Sequence, residues 1–398
     1  MKTFPAMSSF PLSHNVARMQ SSATMAVMEA AEALRAAGAS VCDFGAGEPD
    51  FDTPDNIKQA AERAMLAGRT KYTANGGIRE LHSAIIDFYS KQFGTEYRTS
   101  EVMATAGGKQ AIFNAVVTLL NPGDEALIPK PYWVTFPEIA VFAGAKPIFI
   151  ETEETDFVLT VDQVERAITP RTRLLILNSP SNPSGRVLPP AEFRKIMELT
   201  TERGIYVVSD ECYLRFVYPP GQVFSAASLP DELRSHLCIA GSFSKTYAMT
   251  GWRVGYALAP AEWIKAMLKV QGHSTSNTNS MAQWAAVEAL NGPQESVAIM
   301  LGEYTKRRAW LLKALREIPG LKCSEPEGAF YAFPDVRGCL KNDLKTSGDF
   351  ARRLLEEEQT VVTDGAGFGA EGFIRISYAT SLQRLEEGVR RIRRVAEG

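Results

Sequence analysis

The sequence predicts an α/β fold, with a seven-stranded, mostly parallel sheet and a smaller α/β domain beside it. Three observations carry this. From residue 100 onward, seven short β-rich runs alternate with helix-length segments, the rhythm of a parallel sheet covered on both faces. The gap between Ala240 and Val254 is too short for a crossover helix, so the seventh run is predicted antiparallel to the sixth. After Leu321 a second, shorter alternation of strands and helices begins.

The elements follow in order. A first helix is predicted from about Ala23 to Ala37, capped by Ser21 or Ser22 and stopped by Gly38. Thr53 as N-cap and Pro54 at the first helical position open a second helix that ends near Gly68. A third runs from Ile78 to Phe93 and stops at Gly94. The seven runs are Val102–Thr105, Ala126–Ile128, Pro147–Ile150, Leu174–Leu177, Ile205–Val208, Leu237–Ala240 and Val254–Leu258. Helical patterns fill Lys109–Leu120, Val134–Ala143, Val161–Ile168, Ala191–Arg203, Ser280–Leu290 and Gln294–Glu317. The C-terminal alternation has strands at Ala329–Phe333, Thr360–Val362 and Phe373–Ile376, with helices at Ser347–Glu358 and Leu382–Ala396. The domain division predicted is an N-terminal segment (1–52) that joins the small domain, a large domain (53–295) and a small C-terminal domain (296–398).

Composition narrows the function. The chain has 398 residues, a formal net charge of −3 and 45% hydrophobic residues. That is a globular composition without the basic footprint that nucleic acid requires. Five cysteines form no C-x-x-C pair, and the count is odd, as for free thiols in a reducing compartment. The four histidines are scattered, so no metal site is predicted. No apolar run is long enough to span a membrane, and the N-terminus lacks the apolar core of a secretory signal. The expectation is a cytoplasmic enzyme whose chemistry rests on Lys, Tyr, Asp or a cofactor.

Ligands of open α/β sheets bind beyond the carboxyl ends of the strands, so the residues there are the candidates for a site. Gly107-Gly108-Lys109 follows the first strand and Asn178 the fourth, with Asn182 close behind. Asp210 and Tyr213 follow the fifth; Ser242, Lys245 and Arg253 follow the sixth. Two glycines at a helix N-terminus leave backbone N–H groups free for an anion such as phosphate. Ser242 and Arg253 add a hydroxyl and a guanidinium. A carboxylate at Asp210 could keep a ring nitrogen protonated, and Lys245 could form a Schiff base with an aldehyde. Phosphate, basic ring nitrogen and aldehyde together describe pyridoxal 5′-phosphate (PLP). Singly these signals are weak, since a lone lysine is almost always a solvated surface group and a Gly-Gly pair is more often a tight turn. Their joint placement at consecutive strand ends is the argument.

At these residues the sequence resembles the fold-type I PLP-dependent aminotransferases, in particular the class I aspartate aminotransferase family. The matching stretches run from Gly47-Glu48-Pro49-Asp50 and Tyr72-Thr73 through Gly107–Ala111, Pro131-Tyr132-Trp133 and Ser179–Gly185. They continue with Ser209–Tyr213, Ser242–Lys245, Met249–Tyr256, Gly328–Tyr331 and Ile374–Ala379. The resemblance implies that Lys245 carries PLP and moves the substrate proton. Asp210 would pair with the ring nitrogen, Tyr213 and Asn182 would bond the ring oxygen, and Trp133 would stack on the ring. Gly107, Gly108, Ser242 and Arg253 would hold the phosphate, with Lys109 beside them, and Tyr72 would reach it from the second subunit of a homodimer. Arg375 would clamp the substrate α-carboxylate, with Gly47, Asn182 and Trp133 lining the same site. Thr24 and Lys109 match a pair that, in one branch, binds the distal carboxylate of aspartate or glutamate; prephenate aminotransferases share this pair. The partners implied are an amino acid and a 2-oxo acid.

Two departures stand out. Ser184 replaces the usual Thr, and Val362-Thr363-Asp364-Gly365 replaces a Val-Pro-Gly run, so that Asp364 would repel an acidic substrate if it faced the site. Two other classes of function are distinguishable. A PLP-dependent lyase would release ammonia from a donor that a transaminase converts without loss. A PLP-sensing DNA-binding regulator would need a DNA-binding module and a basic surface.

Overall fold

The computed structural model describes residues 11–20, 31–36 and 38–398. The predicted caps Ser21 and Ser22, and Thr24, lie outside the described residues; residues 31–36 are helical and Gly38 follows with φ +85°. Twelve strands form among the described residues: β1 Cys42–Asp43, β2 Val102–Thr105, β3 Glu125–Pro129, β4 Lys146–Ile150, β5 Thr172–Asn178, β6 Tyr206–Asp210, β7 Leu237–Ser242, β8 Gly255–Leu258, β9 Tyr331–Ala332, β10 Thr360–Val361, β11 Thr363–Asp364 and β12 Ile374–Ser377.

Seven of them make one sheet in the order β2-β8-β7-β6-β5-β3-β4. The pairs β3/β4, β3/β5, β5/β6 and β6/β7 are parallel, and β8 is antiparallel to both neighbours. The short β7–β8 connection forces that reversal, as predicted. The period-2 alternation of strand side chains splits the sheet's apolar residues between two cores. Ala104, Leu127, Leu175, Val207 and Ile239 enter one, with helices Arg79–Phe93, Pro190–Glu202 and Ser280–Asn291. Met103, Ala126, Ile176, Val208 and Ala240 enter the other, with helices Gly108–Leu119 and Ala261–Gly272. Burial on both faces explains why these strands read as unbroken apolar runs.

A third core gathers the chain ends. Phe330, Tyr331, Phe350, Ile374 and Ile376 pack there with Phe44 and Leu385. The antiparallel sheet β11-β12-β9 and the parallel pair β1/β10 support it. Helix Glu295–Arg316 links the cores: Val297 is buried with the large sheet, Met300, Tyr304 and Leu315 with the third core. The N-terminal segment touches both parts. Asn15 and Gln20 bond Phe142 and Glu138 beside the large sheet, whereas Ala31 and Val41 pack on Val361.

One capping expectation is corrected. The second helix spans Asp55–Leu66 with Pro54, not Thr53, at its N-cap and no side-chain cap bond. The Thr53 hydroxyl instead donates to the Ala248 carbonyl (2.5 Å) and accepts from the Trp252 indole N–H (2.9 Å). Those tertiary bonds outcompete the local cap.

Candidate active site

The carboxyl ends of β2, β5, β6 and β7 meet one cavity of about 290 Å³. Each strand end delivers its residues for a local reason. After β2, Gly107 takes φ +82° and turns the chain into helix Gly108–Leu119. That region is nearly closed to side-chain-bearing residues, and a Cβ there would lie 2.7 Å from Arg253 Nη2. A Cβ on Gly108 would lie 3.2 Å from Ser242 Cβ. The two glycines thus keep open a cradle at a helix N-terminus, bounded by Ser242 and the Arg253 guanidinium.

At the end of β5, Asn178 is the register partner of Asp210 on β6. Its amide donates to the Asp210 carbonyl (3.0 Å), and its side-chain oxygen accepts from the Asn182 N–H (2.8 Å). The Asp210 carboxylate is buried and accepts from the Cys212 N–H (3.1 Å). Burial pushes its pKa up to about 6, against the opposing pull of the Cys212 hydrogen bonds and of Lys245. Tyr213 is buried, its hydroxyl 2.7 Å from that of Tyr331.

Past β7, Ser242 Oγ accepts from the Ser244 N–H (3.1 Å), fixing the turn that presents Lys245. Lys245 Nζ donates to the Gly47 carbonyl. Desolvation holds its pKa below the usual lysine value, helped by Arg375 and Arg253. Arg253 has φ +53°, and its guanidinium donates to the Thr250 carbonyl (2.9 Å). Lys109 Nζ stands 4.9 Å over the Trp133 ring, its pKa lowered by desolvation and by Arg253.

Arg375, on β12, is 2% exposed. It donates to Asn182 Oδ1 (3.0 Å), the Gly45 carbonyl (2.7 Å) and Thr363 Oγ1 (3.3 Å). Its Nε is buried without a partner. A buried donor left unpaired is costly.

A family model described as aminotransferase class I and II matches residues 39–392. The chain belongs to this aminotransferase family. It is 45% identical to the aspartate/prephenate aminotransferase of Cereibacter sphaeroides, over 97% of this chain and 99% of that one. It is 43% identical to the aspartate aminotransferase of Geobacillus stearothermophilus, with the same coverage. Among solved structures, the aspartate aminotransferase of Rhizobium meliloti superposes with a TM-score of 0.94 at 39% identity, covering 98% of this chain and 99% of that one. That of Thermus thermophilus with maleate gives 0.92 at 41%, covering 97% and 99%. The protein is accordingly a transaminase.

The aminotransferase cavity is lined by Gly47, Gly108, Lys109, Trp133, Asn182, Asp210, Tyr213, Ser242, Lys245, Arg253 and Arg375, all expected from the sequence. Gly107 lies just behind it, against Arg253. Tyr72 does not line it and is 92% exposed. Thr24 is outside the described residues. Tyr331, Glu48 and Cys212 line the cavity without having been assigned there; all three sit inside the matching sequence stretches. Asn178, at its strand end, lines the cavity as well. Asp364 does not line the cavity; its carboxylate accepts from Ser347 Oγ (2.7 Å) and the Ala366 N–H (3.2 Å). Asp364 is therefore not a source of repulsion for an acidic substrate in this cavity.

Class I aminotransferases depend on PLP, and the residues present fit that group. The glycine cradle matches a phosphate, the buried Asp210 a cationic ring nitrogen, and the desolvated Lys245 amine an aldehyde.

Proposed function

We propose that the protein moves an amino group between a dicarboxylic amino acid, aspartate or glutamate, and a 2-oxo acid, using PLP. The observation that carries this reading is the convergence of Lys245, Asp210 and the Gly107-Gly108 cradle on the cavity that also holds Arg375 and Lys109. PLP supplies an aldehyde that takes up the amino group and a ring that withdraws electrons from the substrate α-carbon. Gly107, Gly108, Ser242 and Arg253 hold its phosphate, and Trp133 offers a flat face to its ring. Asp210 keeps the ring nitrogen protonated, while Tyr213 and Asn182 bond the ring oxygen.

Arg375 binds the substrate α-carboxylate through a guanidinium pre-oriented by Asn182 and Gly45. Lys245 Nζ takes the proton from the substrate α-carbon and carries it as an ammonium, the role to which a depressed amine pKa suits it. Lys109, with Thr24, receives the distal carboxylate. The amino acid leaves as a 2-oxo acid, and a second 2-oxo acid collects the amino group. Prephenate is the second acceptor to consider, because the Cereibacter sphaeroides relative is named for both substrates.

The working unit proposed is a cytoplasmic homodimer in which Tyr72 of one copy reaches the phosphate held by the other. The 92% exposure of Tyr72 in the single chain favours this. The proposed division remains a large unit (53–295) and a small one (296–398 with 1–52).

The test offers aspartate with 2-oxoglutarate or prephenate as acceptor. Oxaloacetate formation matched mole for mole by new amino acid is expected. Ammonia release would instead mark a lyase. Lys245→Ala should abolish turnover while leaving the melting temperature near that of wild type; a variant with full turnover would remove Lys245 from its role.

A further inference from the structure

Tyr331 was given no role above, yet it touches two groups that the transaminase reading uses for different purposes. It lies on β9, fully buried, and its register partner on β12 is Ser377. Arg375 is two residues away on the same face of β12, the diagonal neighbour within reach of a long side chain. The Arg375 guanidinium lies over the Tyr331 ring, with Cζ 4.6 Å from the ring centroid. The Tyr331 hydroxyl is 2.7 Å from that of Tyr213, and the two rings meet edge to face at 5.7 Å. Gly47 closes the remaining side, since a Cβ there would stand 3.1 Å from the Tyr331 hydroxyl.

Resting on the transaminase reading, we propose that Tyr331 is a positioning residue that ties the carboxylate clamp to the cofactor-facing hydroxyl. Its ring sets the height of Arg375, and its hydroxyl sets the direction of the Tyr213 O–H.

The proton count explains the second role. Burial pushes both tyrosines above the ordinary phenol range, Tyr331 to about 12, so both hydroxyls stay neutral. Each then carries one hydrogen. When Tyr331 donates to Tyr213, the Tyr213 hydrogen is free to point into the cavity. Without that donation the Tyr213 hydroxyl loses its fixed direction, although its oxygen stays in place. The ring role is separate, because a cation over an aromatic face is held whether or not the ring bears a hydroxyl.

The two roles come apart by substitution. Tyr331→Phe keeps the ring and removes the hydroxyl; Tyr331→Leu removes both. Four variants (Tyr331→Phe, Tyr331→Leu, Tyr213→Phe and the double Phe variant) are compared with wild type. Steady-state kinetics use aspartate and 2-oxoglutarate, and calorimetry reads succinate affinity as a probe of the clamp. Tyr331→Phe should lower kcat about two- to tenfold, the value of one hydroxyl bond. Its KM and succinate affinity should stay within about twofold, since the cation–ring contact remains. The double Phe variant should be no slower than Tyr213→Phe alone, because the hydroxyl pair acts as a unit. Tyr331→Leu should in addition weaken succinate about three- to thirtyfold.

Independent, additive losses in the two Phe variants would overturn the hydroxyl role. Unchanged succinate affinity in Tyr331→Leu would overturn the ring role. A wild type that binds succinate but does not transaminate would refute the functional reading and leave the ring role to be judged by affinity alone.

Discussion

The buried Asp210 carboxylate makes a prediction about stability as well as catalysis. In the cofactor-free protein its pKa is raised from 3.8 to about 6, chiefly by desolvation. The unfolded chain ionises Asp210 near its ordinary value, while the folded chain resists until about two units higher. As pH rises through that window, the unfolded state therefore gains a stabilisation that the folded state does not. Unfolding free energy falls with rising pH between about 4 and 6, then levels off. A shift of about two units corresponds to about 3 kcal/mol at the plateau. Asp210→Asn cannot ionise, and it keeps an oxygen to accept from the Cys212 N–H. The cofactor-free variant should thus be more stable than cofactor-free wild type by up to about 3 kcal/mol at about pH 8, and nearly equal at about pH 4. Bound PLP should narrow the difference at the higher pH, because its cationic ring nitrogen offsets the buried charge. Urea titrations of both proteins, with and without PLP, read these quantities, and steady-state kinetics should find the variant nearly inactive. A gap that stayed constant with pH, or a variant less stable at the higher pH, would refute the account of Asp210 as an uncompensated buried carboxylate.

Other substitutions follow from the same geometry. Gly107→Ala places a Cβ 2.7 Å from Arg253 Nη2 at φ +82°; PLP affinity of the cofactor-free protein should fall about tenfold or more, and an unchanged titration would take the cradle out of the phosphate site. Asp364→Asn should leave KM for aspartate within about twofold, because its carboxylate is engaged by Ser347 and the Ala366 N–H and none of the three residues lines the cavity; a large improvement would mean that the carboxylate acts on substrate after all. Lys109→Ala should weaken aspartate and glutamate by about tenfold or more while sparing aromatic donors, as the loss of one charge-assisted hydrogen bond predicts. Equal losses for both donor classes would argue against a distal-carboxylate role.

What the sequence made legible depended on locality. Most strands of the large sheet could be read because they are short apolar runs buried on both faces, bounded by turn residues; the edge strand β4, largely exposed or half-buried, is the exception. The end of each strand then named Asp210, Ser242 and Gly108 without any tertiary knowledge. Thr53 misled because its sequence context fits a cap, while the Ala248 carbonyl and Trp252 indole that claim it lie far along the chain. The β1/β10 pair, joining Cys42 to Thr360 and Asp43 to Val361, rests on contacts between the two chain ends, and two-residue strands leave no period to detect. Tyr331 stayed unassigned for a related reason. Its meaning lies in a diagonal cross-strand contact with Arg375 and in a hydroxyl pair with Tyr213, neither of which has a sequence spacing. The polarity of Asp364 was legible but its direction was not, because Ser347 and the Ala366 N–H fix that direction only in the fold.

The charge of the cavity joins these residues into one argument. The whole chain carries a formal net charge of −3, yet Lys109, Lys245, Arg253 and Arg375 line a cavity that also holds the acids Glu48 and Asp210. Glu48 is held to Thr250 Oγ1 at 2.8 Å, and burial opposes the ionisation of Asp210. The local balance is thus positive; desolvation chiefly lowers the pKa values of Lys109 and Lys245, and Arg253 adds to the lowering in both cases. A neutral ligand would leave that positive balance in place. A ligand set with a phosphate and carboxylates is attracted to Arg253, Arg375 and Lys109, whereas Lys245 owes its lowered pKa chiefly to desolvation. The excess positive charge thereby selects anionic ligands, and burial rather than charge prepares the one amine that has to act as a base.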